Sequence, residues 1–157
     1  MNINLRKFKE EDIITLSPIM KEAFENDSRI HLGEDVLDGP PGYSDGSFLR
    51  QWAMHSNATS LTIYDDDKII GLAILWINSN HHNMLGCLFI DVAYEGIGVG
   101  TKVWKMIEEM FPETLEWNTE TPTYSKRNLH FYKDKCSFIV ERINEEEGQY
   151  IFKKKMK

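Results

Sequence analysis

The stretch Leu88-Phe89-Ile90-Asp91-Val92-Ala93-Tyr94-Glu95-Gly96-Ile97-Gly98-Val99-Gly100-Thr101, continued by Lys102-Val103-Trp104-Lys105-Met106-Ile107, decides how the chain is read. Up to Val92 it is nearly continuously apolar and rich in β-branched and aromatic residues, which predicts a strand. Three glycines at alternate positions stop that strand. Beyond them Val103, Trp104, Ile107, Met110 and Phe111 recur at the spacing of one buried helix face, and Pro112 ends the helix.

Strand, glycine turn and helix together form an anion-binding device. The first turn of a helix carries backbone N–H groups without intrahelical partners, and the macrodipole adds positive charge there. Glycines let an anion approach the backbone, so a diphosphate is the expected guest. The plainer reading is a tight strand-to-helix turn, for which glycine is the default residue. A dinucleotide-binding turn wants G-x-G-x-x-G with an acidic residue about 20 positions on. Gly96, Gly98 and Glu116 fit part of it, but Thr101 stands where the last glycine belongs, and the remaining chain is too short for the other strands. A Walker loop is excluded because no G-K-[ST] follows.

The stretch instead resembles the acyl-coenzyme A loop of the GNAT superfamily of N-acyltransferases, whose pattern is [QR]-x-x-G-x-[GA]. Here it reads Glu95-Gly96-Ile97-Gly98-Val99-Gly100, with Glu95 departing from the first position. A carboxylate facing a diphosphate is repelled by about 4 kcal/mol at 4 Å and an effective dielectric near 20. Glu95 is therefore expected to point away into water, with Lys102, Lys105 and Arg127 as the compensating cations.

The 157 residues are expected to form one domain, 1–157, with enough apolar residues (41 %) for a real core. Eighteen basic against 25 acidic residues give a formal charge of −7. That balance argues against a general nucleic-acid surface and suits an amine-bearing partner. Two cysteines, Cys87 and Cys136, make neither a disulfide framework nor a metal-type spacing. With no signal-peptide pattern and no apolar run of membrane length, a soluble protein of a reducing cytoplasm is expected.

In chain order, Ile3 and Leu5 predict a first strand. Ile13, Leu16, Met20, Ala23 and Phe24 predict a helix that Pro18 should bend or interrupt. From Glu25 to Ser47 the acidic, Gly- and Pro-rich pattern predicts for the most part a long surface loop, with room for a short helical turn, of the kind that is usually functional or mobile. Ser47 is expected to cap a helix restarting at Phe48, Leu49 and Trp52. Leu61–Tyr64 and Ile69–Ile77 read as strands joined by Asp65-Asp66-Asp67, and Ser79–Asn83 as the next turn. The three aspartates lack the later ligands of a calcium loop. His81 and His82 are neighbours that a strand would point to opposite faces, so no metal is expected. Thr114–Asn118, a short helix over Ser125–Asp134, and the strands Phe138–Val140 and Tyr150–Phe152 complete the chain.

This order covers the whole chain and is similar to the GNAT architecture, which implies an α/β fold: a mixed, mostly antiparallel sheet of six to seven strands with about four helices. A second family signature, N-x-x-A-x-x-F-Y-x-x-x-G-F, is approached by Ser125, Asn128, Phe131 and Tyr132. Phe138 comes one residue late, and Ser137 takes the glycine position. The resemblance implies acetyl-coenzyme A as cofactor. Phe89, Ile90 and Asp91 would pair with its pantetheine arm, Gly96, Ile97, Gly98, Val99, Gly100 and Thr101 would hold its pyrophosphate, and Ser125 and Asn128 would line its site. The strands Leu88–Val92 and Leu115–Asn118 would splay apart to admit the thioester, and Tyr132 would protonate the departing thiolate. The implied reaction is acyl transfer to a primary amine of a small molecule or protein. A non-catalytic acyl-coenzyme A sensor or partner-binding module on the same scaffold is the alternative, and a homodimer is compatible with either. No base stands out among Glu116, Asp91, His55 and His31. The acceptor wall is expected between Asp27 and Asp45, with His31, Asp35, Tyr43, Trp52 and Glu116 as candidate contacts.

Overall fold

A computed structural model describes residues 1–157. Seven strands form one sheet in the order β1-β2-β3-β4-β5-β7-β6. Their bounds are β1 Ile3–Lys7, β2 Thr59–Asp65, β3 Lys68–Trp76, β4 His82–Ile90, β5 Glu116–Pro122, β6 Ile139–Asn144 and β7 Gln149–Lys155. Every neighbouring pair is antiparallel except β4 and β5. Strand β3 carries the continuous apolar run and is buried on both faces from Ile70 to Leu75, as a central strand requires.

The parallel pair positions the site. Strands β4 and β5 are in register only over His82–Met84 and Glu116–Asn118. The Thr119 hydroxyl donates to the Leu85 carbonyl at 2.9 Å, and beyond that point the edge of β4 facing β5 has no strand partner. A bulge on the other edge contributes: Ile74 stands opposite Cys87 but Leu75 opposite Leu85, leaving Gly86 as the extra residue. Bulges bend the strand that carries them. Glycine is required there, because a Cβ on Gly86 would lie 2.5 Å from the Trp76 indole nitrogen. The two strands thus diverge as expected, although the divergence begins at Leu85 and Thr119.

Helices cover both faces: α1 Ile13–Leu32, α2 Val99–Met110 and α3 Lys126–His130. Helix α1 packs Leu16, Met20 and Ala23, together with the π-helical turn Leu49–Ala53, on Leu72, Ile74 and Phe89. Helix α2 buries Val99, Val103, Trp104 and Ile107 against the opposite face, where Trp104 meets Trp117 edge-on with centroids 5.0 Å apart.

Several expectations need correction. Pro18 does not interrupt α1, because it is exposed and the carbonyl its ring leaves free belongs to Ile14, itself 81 % exposed, so water satisfies it. The expected loop from Glu25 is helical as far as Leu32, because its polar side chains find buried partners: Glu25 bonds Lys21 and Tyr43, and the Ser28 hydroxyl donates to the Glu25 carbonyl. Ser47 does not cap the next turn but donates to Asp45. Met110 is 47 % exposed and lies outside the buried face of α2.

The late Phe138 has a structural answer. After α3 the chain widens into a π-helical turn, Phe131–Lys135, in which the Cys136 N–H reaches back to the Phe131 carbonyl. Such a turn absorbs one extra residue within a helix. Ser137, in the glycine position, adopts a left-handed φ of 65°. Phe138 is thereby returned to the core against Trp104, Tyr132 and Phe152.

Candidate active site

The divergence of β4 and β5 opens into a cleft of about 630 Å³. Leu88, Phe89 and Ile90 of β4 form one wall, Ala23, Phe24 and Asp27 of α1 a second, and Arg127, Asn128, His130, Phe131, Tyr132 and Lys135 a third. Tyr94, Glu95, Gly96, Gly98, Val99, Gly100 and Thr101 close one end. The predicted strand–turn–helix and the predicted F-Y pair therefore meet at one opening.

The glycines of the turn do different things. Gly96 and Gly98 adopt left-handed φ of 75° and 85°, and a Cβ on either would meet no protein atom within 4 Å. They turn the chain into α2 and leave the approach to its first N–H groups open. Gly100 is held by packing instead: a Cβ there would stand 3.0 Å from the Phe131 ring. This cradle fits an anionic phosphate group, and the apolar β4 wall beside it fits an extended, weakly polar arm.

Glu95 does not point into water. Its carboxylate accepts from Arg127 at 2.6 Å, and Arg127 also reaches Asp27 at 3.3 Å. Asp27 in turn accepts from the Ser125 hydroxyl at 3.0 Å and lies 3.1 Å from His31 Nδ1. Burial raises the Glu95 pKa above the ordinary carboxylate value, with Asp27 and Asp91 adding to the shift and Arg127 opposing it. Arg127, expected as a cation free to meet the diphosphate, is thus shared between two carboxylates. Lys102 and Lys105 are exposed and do not line the cleft.

Tyr132 lines the cleft yet is 7 % exposed, packed against Phe131, Phe138 and Phe152. Burial, then the thiols of Cys87 and Cys136, push its pKa up, so the hydroxyl keeps its proton at neutral pH.

The other expected residues divide. Phe89, Ile90, Gly96, Gly98, Val99, Gly100, Thr101 and Asn128 line the cleft, whereas Ile97 is 58 % exposed and outside it. Asp91 accepts from the Ala93 N–H and shapes the turn after β4. Ser125 is fully buried and caps α3, so it is no wall of the cleft. The expected acceptor wall is not assembled. His31 is folded onto Asp27, Tyr43 donates to Glu25 at 2.8 Å, and Asp35 is exposed on the loop after α1. Glu116 sits in the paired half of β5, beside His82 and Lys153. Trp52 lines a separate pocket. His130 and Lys135 were missed as cleft residues. Their signal was present: His130 and Phe131 follow Arg127 by three and four residues and Lys135 follows Phe131 by four, one face of a helical segment.

Residues 20–138 match the model of the acetyltransferase (GNAT) family. An uncharacterised protein of Bacillus subtilis, YrkN, is 36 % identical over 140 residues, covering 87 % of this chain and 74 % of that one. Among solved structures, the PaiA N-acetyltransferase of Thermoplasma acidophilum in complex with coenzyme A superposes with a TM-score of 0.80 at 19 % identity, over 99 % of both chains. The ribosomal-protein-S18-alanine N-acetyltransferase of Escherichia coli superposes with a TM-score of 0.72 at 11 % identity, over 98 % of this chain and 94 % of that one.

Proposed function

The chain belongs to the acetyltransferase (GNAT) family, and we propose that it transfers the acetyl group of acetyl-coenzyme A to a primary amine. The observation that carries this reading is the cleft where β4 leaves β5, closed at one end by the open cradle of Gly96 and Gly98. A bound acetyl-coenzyme A supplies an activated acyl thioester. The N–H groups of Val99, Gly100 and Thr101 at the start of α2 would hold its pyrophosphate, and the unpartnered edge of β4 up to Ile90 would hold its arm. Backbone N–H groups on that edge would be the donors for the thioester carbonyl, where developing negative charge needs them. As the amine nitrogen–acyl bond forms and the carbon–sulfur bond breaks, Tyr132 would give its proton to the departing sulfur, the amine would release its own to water, and water would return one to Tyr132.

No helix is long and apolar enough to cross a membrane, and both cysteines are free thiols, which suits a reducing cytoplasm. Release of coenzyme A thiol on addition of amines tests the reading. Turnover with any amine supports transfer. Tight coenzyme A binding with no turnover across a broad amine panel would instead favour the non-catalytic sensor.

A further inference from the structure

A second pocket, of about 290 Å³, lies on the α1 face of the sheet, lined by Phe48, Trp52, Ile74, Trp76, Met84, Gly86 and Cys87. Its size falls near the lower end of small-molecule sites, about 300–1,000 Å³. No charged side chain lines it. Trp52 and Trp76 cross edge-to-face with centroids 6.3 Å apart, and Trp52 remains 37 % exposed at the mouth.

Its position connects it to the cleft. Met84, Gly86 and Cys87 immediately precede Leu88, Phe89 and Ile90 on the same strand, and consecutive strand residues are about 3.3 Å apart. At Cys87, β4 has already parted from β5 while it stays paired with β3 at Ile74. Cys87, in the pocket, and Phe89, in the cleft, are two residues apart on β4 and both pack with the α1-side core, so the two cavities share that side of the strand. Burial raises the Cys87 thiol to about 12, so it is a neutral apolar wall and not a nucleophile.

We propose that this pocket receives the acceptor, and that the acceptor is a primary amine carried on an apolar, preferably aromatic, body. The inference rests on the transfer reading above. The amine would reach the thioester through the gap between β4 and β5 while its ring packs between Trp52, Phe48 and Trp76. A polycationic acceptor finds no carboxylate in this lining. The acidic residues first expected to meet the acceptor lie elsewhere: Glu116 beside His82 and Lys153, Asp35 exposed on the loop after α1, and Asp27, at the start of the expected wall, engaged with Arg127 and Ser125.

The test uses 2-phenylethylamine and spermidine as probes on the full-length protein saturated with coenzyme A. Binding is read by titration calorimetry, turnover with acetyl-coenzyme A by thiol release, and both are repeated on Trp52→Ala, a partly exposed position whose loss spares the core. The expected result is preference for 2-phenylethylamine and about tenfold weaker binding of it by Trp52→Ala, as for an aromatic anchor, with coenzyme A affinity unchanged. Preferred turnover of spermidine would overturn the pocket while leaving acetyl transfer standing. Trp52-dependent binding of 2-phenylethylamine without any thiol release would support the pocket and overturn the transfer. Absence of 2-phenylethylamine binding, or equal binding by Trp52→Ala, would overturn the pocket.

Discussion

Replacing Arg127 by Met keeps much of the side chain's length and apolar stem and removes only its charge and donors. In the structure that charge sits between Glu95, at 2.6 Å, and Asp27, at 3.3 Å, on the wall of the cleft that ends in the Gly96–Gly98 cradle. A unit charge about 6 Å from a phosphate contributes about 3 kcal/mol at an effective dielectric near 20. Arg127 is 35 % exposed, so screening reduces the effect to about 1–2 kcal/mol. Its loss also unmasks Glu95, which pushes in the same direction. Arg127→Met should therefore weaken coenzyme A binding about 5- to 30-fold, measured by titration calorimetry at low salt, with the deficit shrinking at about 0.5 M salt. Glu95→Gln frees Arg127 and removes the repulsion, so it should bind coenzyme A more tightly than the wild type. An Arg127→Met protein with wild-type coenzyme A affinity at low salt would refute the charge argument.

Three further outcomes follow from the same geometry. Tyr132→Phe should lower kcat about 10²–10⁴-fold with acetyl-coenzyme A affinity retained, and wild-type kcat with chemistry limiting would remove Tyr132 as the acid. Gly98→Asn, whose residue type tolerates left-handed φ, should keep the thermal transition close to wild type yet lose coenzyme A binding, since its side chain enters the open approach; calorimetry showing unchanged affinity would contradict the role of the turn. For Glu95, whose pKa is raised in the folded state, the protonated form favours folding below the ordinary carboxylate range, and that contribution is lost as pH rises through the raised value. The affinity gap between wild type and Glu95→Gln should accordingly close as pH falls through the raised carboxyl's titration, and a pH-independent gap would show that Glu95 charge is not what the cofactor senses.

The parts of the site that were legible in the sequence are those built from neighbours in the chain. An apolar run, alternating glycines and a helical stripe specify strand, turn and helix within about 20 residues, and the Phe131-Tyr132 pair lands on the same cleft. What the sequence hid is long-range. Glu95 meets Arg127 across 32 positions, and Ser125 meets Asp27 across 98. No local pattern announces which carboxylate a distant guanidinium will choose, so Glu95 was assigned to water and Arg127 to the diphosphate. The same blindness turned Glu25–Leu32 into a loop: its polar residues look like turn chemistry until their buried partners are known. The pocket lined by Trp52 was hidden for a different reason, since its residues come from the π-helical turn Leu49–Ala53 and its flank, from β3 and from β4, and only the sheet register brings them together.

The ion cluster explains how a carboxylate survives beside an anion site. Asp27 belongs to α1, Glu95 to the turn before α2, and Arg127, with Ser125, to the start of α3, so one guanidinium ties two walls of the cleft to the turn that closes its end. Partly buried ion pairs add little net stability, because desolvation offsets most of the attraction. Their consequence here is geometric: they set how far α3 stands from the glycine turn before any ligand enters. An arriving diphosphate then competes with Glu95 for Arg127 instead of meeting a bare carboxylate. Substituting Glu95 therefore changes two quantities of opposite sign, relieving repulsion while loosening the wall. Coenzyme A affinity reports the first, and hydrogen-exchange protection of the first turn of α3 reports the second.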